Sequence, residues 1–127
     1  MKRQIIVIFV VIGIVAVCIY ARHRAGEARE MVHFYALPIF FYIEQQDGPG
    51  AQKAVEALVA YWEREQRYLM IFSRHTEIDE LSRTVSRLKS YAIFEEFADL
   101  HAELRAVLWQ IDHIWETERV RVGTILL

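Results

Sequence analysis

The chain has 127 residues, is 54% hydrophobic and 25% charged, and carries a formal net charge of −2 at pH 7. That length leaves no room for more than one ordinary domain, and 17 Asp and Glu against 15 Lys and Arg, with no basic stripe, argue against binding a phosphate backbone. A single cysteine, Cys18, excludes an internal disulfide and a cysteine-based zinc site.

The N-terminal stretch MKRQIIVIFVVIGIVAVCIYARHR opens with Lys2 and Arg3 and then runs from Ile5 to Ala21 without a charge or an amide. As a helix those residues span roughly 26 Å, the short end of what crosses a bilayer, and flanking basic side chains can snorkel to cover the shortfall. A cleaved leader needs a small-x-small exit, which AVCIYARHR lacks. A lipoprotein cysteine needs a small residue before it, and Val17 precedes Cys18. Residues 1–24 therefore read as an uncleaved membrane anchor, with Cys18 an apolar filler or an acylation site. Arg22, His23 and Arg24 balance Lys2 and Arg3, so charge gives little bias to the orientation. The expected placement is the cell membrane, single-pass, with the N-terminus inside and the bulk extracytoplasmic. Beyond the anchor, residues 22–127 carry a net charge of −4, since Lys2 and Arg3 leave the count of cations and all acids remain.

Residues 25–50 form the next unit, a juxtamembrane apolar helix and turn. MVHFYALPIFFYIEQQ is almost continuously apolar from Met31 to Ile43, but with His33 and Pro38 it is too short to span. It suits an interfacial helix, or a bundle helix that begins near Pro38, because proline is tolerated in a first turn and disruptive deeper. QDGPGAQ, residues 46–52, then stops one helix and starts another.

Residues 51–127 have helical periods throughout. Val55, Leu58, Trp62, Leu69 and Phe72 repeat at three or four, with Glu65 in the open slot, and pairing of Glu65 with an arginine is the expected use of that position. Ile78, Leu81, Val85, Leu88 and Ala92 make the second stripe. Phe94, Phe97, His101, Leu104, Leu108, Ile111 and Trp115 make the third, broadened by Leu100, Val107 and Ile114. The phase slips between the first two, and Thr76 with Asp79 resembles a capping box, so a break near 74–76 and a new helix from Glu77 are expected. One bent helix over 51–91 is the alternative. The last turn falls around Tyr91–Glu95. The fold class is all-α: an N-terminal transmembrane helix followed by a small antiparallel helical bundle.

Two polar knots interrupt the packing residues, RHTEIDEL at 74–81 and IDHIWETE at 111–118. A chain reversal near 94 sets His75 level with His113 and Glu77 level with Ile111. His75, Asp79, His113 and Glu116 are oxygen and nitrogen donors of the kind metals take, and a metal- or ligand-sensing layer is the alternative function they suggest. Without an HExxH spacing the signal is weak, and helix capping with a cross-helix hydrogen bond is the ordinary fate of such groups. No serine elbow and no phosphate loop is present, and the paired carboxylates read as solvated faces, Glu63 to Arg67 being a favourable i, i+4 pair. No cofactor and no enzymatic activity is expected. The juxtamembrane Phe and Tyr residues read as core or membrane-interface groups, and Trp109, off the main ladder, reads as the edge of a wide core face, with a contact residue as the alternative if it is exposed.

The order of features, with WEREQRYLMIFSRHTEIDELSRTVSRLKSY followed by ELRAVLWQIDHIWETERVRVGTIL, resembles a bacterial family, domain-of-unknown-function family four-three-six-three, common in spore-forming Firmicutes. The resemblance covers roughly residues 38–126 and rests on Trp62, His75, Glu77, Ile78, Asp79, Arg87, Leu88, Tyr91, Glu103, Leu104, His113, Ile114 and Glu116. Relatives often carry a second Trp where this chain has Leu69 and Met70, and end with Asn-Ile-Leu where it has Thr124-Ile125-Leu126. The resemblance implies an anchored helical protein without assigned activity, often encoded beside a multi-pass membrane protein of the YetF type. The expected function is a non-enzymatic, anchored interaction module that docks on such a partner or self-associates. Trp62, His75, Glu77, Asp79, Arg87, Tyr91, His113 and Glu116 form its polar layer.

Overall fold

The computed structural model describes residues 1–72 and 75–126, and the side chains of all of these except 71, 72, 118, 119 and 121–126. They form four helices, α1 (Lys2–Glu44), α2 (Gly48–Phe72), α3 (His75–Ile93) and α4 (Phe97–Leu126), with no strand among the described residues. The chain is all-α, as its periodicities require.

Helix α1 runs unbroken for 43 residues, about 65 Å at 1.5 Å per residue. Its first half is long and apolar enough to cross a membrane. Large apolar side chains from Ile5 to Ile19, Val15 apart, are 50–69% exposed, so the rest of the described chain does not cover them. From Ala21 the same helix turns one face inward, burying Ala21, Ala25, Ala28, Val32, Ala36 and Ile39 at steps of three and four. Residues 21–39 thus supply one wall of the bundle core, ahead of the segment whose periodicity first announces it.

Pro38 lies inside α1 rather than in its first turn, which corrects the expectation of a helix starting there. The ring removes the hydrogen bond that would reach the Phe34 carbonyl. Pro38 is on the solvent side, where water can satisfy that carbonyl and a helix can bend away from the core without losing packing.

Around the bundle, α1 packs on α2 and α4, and α3 packs on the same two. The helices therefore occupy the corners of a square in up-down-up-down order, with α1 diagonal to α3. Trp62 on α2 bonds to Ser82 on α3, which a single bent helix over 51–91 could not allow, since twenty helical residues separate those groups by about 30 Å. Helices α2 and α3 are therefore separate and lie side by side. Helix α3 starts two residues before the expected Glu77, so Thr76 and Asp79 lie within it and do not cap its start; residues 73 and 74 lie outside the described residues.

The other two reversals share one device. Gln46 and Glu95 take the left-handed conformation, at φ 53° and 55°. The Asp47 N–H donates to the Tyr42 carbonyl and the Glu96 N–H to the Tyr91 carbonyl, at 3.0 and 2.9 Å. Each is a Schellman closure of the preceding helix, made without glycine at the left-handed position. After the first, Asp47 Oδ1 accepts from the Gly50 N–H at 3.0 Å and caps α2. Gly50 has no room for a side chain there, because a Cβ would meet the Tyr42 ring.

The core follows the stripes on α2 and α3 as read: Val55, Leu58, Trp62 and Leu69, then Ile78, Leu81, Val85, Leu88 and Ala92 are buried. The expected Phe72 lies outside the described side chains. On α4 the buried line is Leu100, Leu104, Val107, Ile111 and Ile114. The ladder through His101, Leu108 and Trp115 is its flank, and Phe94 sits in the turn at 72% exposure. Both lines step by three and four on one helix, and contact with α1 as well as α3 selects the one between them.

Candidate functional site

Among the described residues, every neighbouring pair of helices is joined by at least one polar clasp, and together these place the chemistry of the molecule. Between α2 and α3 the Trp62 indole, 2% exposed, donates to Ser82 Oγ at 2.9 Å. The Ser82 hydroxyl in turn donates a hydrogen bond to Gln66 Oε1 at 2.6 Å. Trp62 is thus a core residue with its one donor satisfied, and it offers nothing to an outside partner.

Between α3 and α4 the two polar knots do meet, through His113 Nε2 and Glu77 Oε1 at 3.8 Å. The reversal centres on Glu95, one residue later than expected, and that moves the residue level with His113 from His75 to Glu77. Trp109 stacks flat on the His113 ring, 5.3 Å between centroids and 3° between planes. With 67% of its surface exposed, Trp109 is not the edge of a wide core face. A small cleft of about 50 Å³ lies beside it, lined by Glu77, Glu80, Gln110 and Ile114. Further along, Arg87 Nε donates to Glu103 Oε2 at 3.2 Å, and Thr84, buried, returns its hydroxyl to the Glu80 carbonyl at 3.1 Å. Tyr91 packs its ring against the core edge.

His75, Asp79 and Glu116 are exposed. Asp79 lies on the outer face of α3 with Ser82, Arg83, Ser86 and Arg87. Among the described residues no three His, Cys, Asp or Glu side chains are grouped so that they could hold a metal ion. The set His75, Asp79, His113 and Glu116 is therefore not gathered into a donor cluster.

The remaining clasps involve α1; sequence reasoning expected an arginine for Glu65 without placing it on α1, and did not find the second clasp. Arg24 Nε stands 2.7 Å from Glu65 Oε1, the pair 23% and 12% exposed, and its second nitrogen donates to Oε2 at 3.3 Å. The guanidinium also lies 4.3 Å over the Tyr68 ring. Beside them the Tyr61 phenol is pushed well above its ordinary value by burial and then by the Glu65 charge, with Arg24 pulling the other way. The arginine partner expected for Glu65 is thus the last basic residue of the anchor flank.

Between α1 and α4, Arg29 Nε donates to Asp112 Oδ1 at 2.7 Å and His33 Nε2 donates to the same oxygen at 2.8 Å. Arg29 also covers Trp115, 4.8 Å from the ring centroid. Gly26 makes room for that indole, since a Cβ there would come within 3.2 Å of Trp115 Nε1. Burial alone would raise the Asp112 carboxyl; the hydrogen bonds from His33 and Arg29 outweigh it and hold the group below its ordinary range. The signal for both clasps was present in the alanines at 21, 25 and 28, whose spacing puts Arg24 and Arg29 on the flanks of a buried stripe.

Opposite that stripe, α1 presents Met31, Phe34, Leu37 and Phe41, the last three 56–67% exposed. They step by three or four along one outward line, an apolar seam on the far side of the bundle wall.

Residues 39–125 match the family described as Domain of unknown function (DUF4363), and the chain belongs to that family. No curated protein and no solved structure shows a match.

Proposed function

We propose that this family member is a non-enzymatic, single-pass membrane-anchored interaction module. Ile5–Ala21 holds it in the cell membrane, the bundle stands on the extracytoplasmic side, and the outward seam of α1 docks on an integral membrane protein. The observation that carries this reading is the seam itself. Phe34, Leu37 and Phe41 are more than half exposed on the same unbroken helix as the anchor. A stable bundle has little reason to hold three large apolar side chains in water in one line, unless another surface covers them. A partner that reaches them must rise beside α1 from the membrane, which an integral membrane protein does. A multi-pass protein of the YetF type is the first partner to try. The polar clasps hold the bundle together, and none of them sets a nucleophile, a base and an orienting group in line.

The test is photo-crosslinking in membranes. A crosslinker at Leu37 should yield one discrete adduct with an integral membrane protein, and the same group at exposed Lys53, on α2, should not. A self-adduct would give the seam to a second copy, and no adduct at Leu37 would remove the docking reading. A thiol placed at Gln45, at the far end of the bundle, reports the side of the membrane: labelling in intact cells is expected, and protection until lysis would reverse the orientation.

A further inference from the structure

The end of the bundle nearest the anchor has a composition unlike the rest, and the packing register shows what it faces. Trp115 lies against Gly26 and Arg29. From Trp115, α4 continues antiparallel to α1 as far as Leu126, about 16 Å, whereas Ala21 is only about 8–12 Å away in that direction. Helix α4 therefore passes the level at which the apolar run of α1 ends. Helix α2 does the same. Tyr68 sits under Arg24, and Phe72 lies one turn further on, about 6 Å, against about 4.5 Å from Arg24 to Ala21.

Three stretches thus share the level of the membrane surface: 18–25 on α1, 67–72 on α2 and 119–126 on α4. They contain Arg22, Arg24, Arg67, Arg119 and Arg121, against the bordering acids Glu65, Glu77 and Glu118, an excess of cations in a chain whose acids outnumber its Lys and Arg 17 to 15. Between the arginines they are apolar: YLMIF in α2 and VGTIL in α4. Arg24 is taken by Glu65, while Arg22 and Arg67 are exposed and Tyr68 is 48% exposed. The anchor run, roughly 26 Å long, is a few ångströms short of a typical hydrocarbon core of about 30 Å, so the bilayer surface is drawn against this end.

We propose that the anchor-proximal end of the bundle is a second membrane contact. Its ligand is the anionic phospholipid headgroup layer of the bilayer that α1 spans, met by Arg22 and Arg67 with Tyr68 at the interface. The inference rests on the anchored reading above, and it differs from it in chemistry: the anchor binds any bilayer, whereas this contact requires negative lipid. A bundle so seated stands at a fixed angle, since α1 has no linker between span and wall.

The full chain is reconstituted in vesicles of phosphatidylcholine, alone or with about one third phosphatidylglycerol, and amide exchange is followed at residues 64–72 and 115–126 against 44–56 at the far end. Exchange at the near end should slow about tenfold or more in the anionic vesicles, relax at high salt as screened contacts do, and lose that difference in the double variant Arg22→Gln, Arg67→Gln. The far end serves as the folding control and should not change. Equal exchange in both lipids, in protein that floats with the vesicles and resists alkaline extraction, overturns the headgroup contact and leaves the anchor standing. Protein that fails to float with either vesicle overturns both. Protection that follows protein density rather than lipid charge assigns this end to a second copy and overturns the proposal.

Discussion

The two faces of α1 reverse the usual distribution of size. Its inward face carries four alanines, Ala21, Ala25, Ala28 and Ala36, beside Val32 and Ile39, all at 0–5% exposure, and its outward face carries Phe34, Leu37 and Phe41 at 56–67%. A globular helix built only for its own fold would place the large side chains inside, where each is worth about 1.5–3 kcal/mol of burial. Small residues inside let α1 approach α2 and α4 closely, so that backbone and clasp contacts replace side-chain volume. Large residues outside add nothing to the isolated bundle. The difference separates what folds the molecule from what it presents.

Overfilling the inner face should have the largest effect. Ala28→Leu, at a fully buried position, should cost about 1–3 kcal/mol, because the facing helices must move apart. In a domain of this size that lowers Tm by about 4–8 °C for each kcal/mol, read by circular dichroism in detergent. A variant that melts unchanged would mean that α1 is not packed as closely as the alanines require. Next comes the Arg24–Glu65 clasp. Glu65→Ala leaves a mostly buried guanidinium without its partner and should cost about 1–3 kcal/mol, less than a fully enclosed pair because Arg24 is 23% exposed. Replacing both residues with leucine should recover most of that loss, which a double-mutant cycle measures.

The sequence disclosed these faces unequally, for physical reasons. The stripes of α2 and α3 were legible because Trp62, Leu58, Ile78 and Leu88 are large and stand against charged neighbours, so the period is loud. The break at residues 46–52 was legible from its Asp-Gly and Pro-Gly pairs, though its Asp47 cap was not. The inner face of α1 was not, because alanine gives a weak apolar signal and the run from Ile5 to Ala21 drowns it in a pattern without period. The polar knots were correctly brought to one hairpin, but a one-residue error in a turn lacking Gly and Pro set His113 against His75 instead of Glu77. Asp112 was read only as one acid of the polar knot IDHIWETE, among the oxygen donors near the two histidines. Its partners Arg29 and His33 lie about 80 residues earlier, and no local spacing connects groups so far apart.

Acid should loosen the inner side before the outer. The folded Asp112 carboxyl lies below its ordinary value of 3.8, so its contribution is fully present above that value and is lost as pH falls through the folded one. Melting temperature measured downward from pH 5 should therefore fall more steeply for the native chain than for Asp112→Asn, which lacks the titrating group. At 40% exposure the carboxylate is partly screened, and the difference in slope should be modest. Parallel curves would show that the Arg29 and His33 bonds do not favour the charged form.

The smallest effect on stability should come from the outer face, and its smallness gives the comparison its force. Phe34→Ser and Leu37→Ser remove large apolar groups that touch little of their own bundle, so each should change stability by less than about 0.5 kcal/mol. Phe34 does lean edge-on against Tyr35, 5.7 Å between centroids, and Tyr35 in turn lies on Tyr61, so any loss at Phe34 should pass through that aromatic pair and exceed the loss at Leu37. Docking should respond in the opposite order of magnitude, with either serine cutting adduct formation at the seam about tenfold, as removal of a buried anchor does at an interface. Stability lost at Leu37 to the extent seen at Ala28 would mean that the seam folds back on this chain and that both faces of α1 serve the same core.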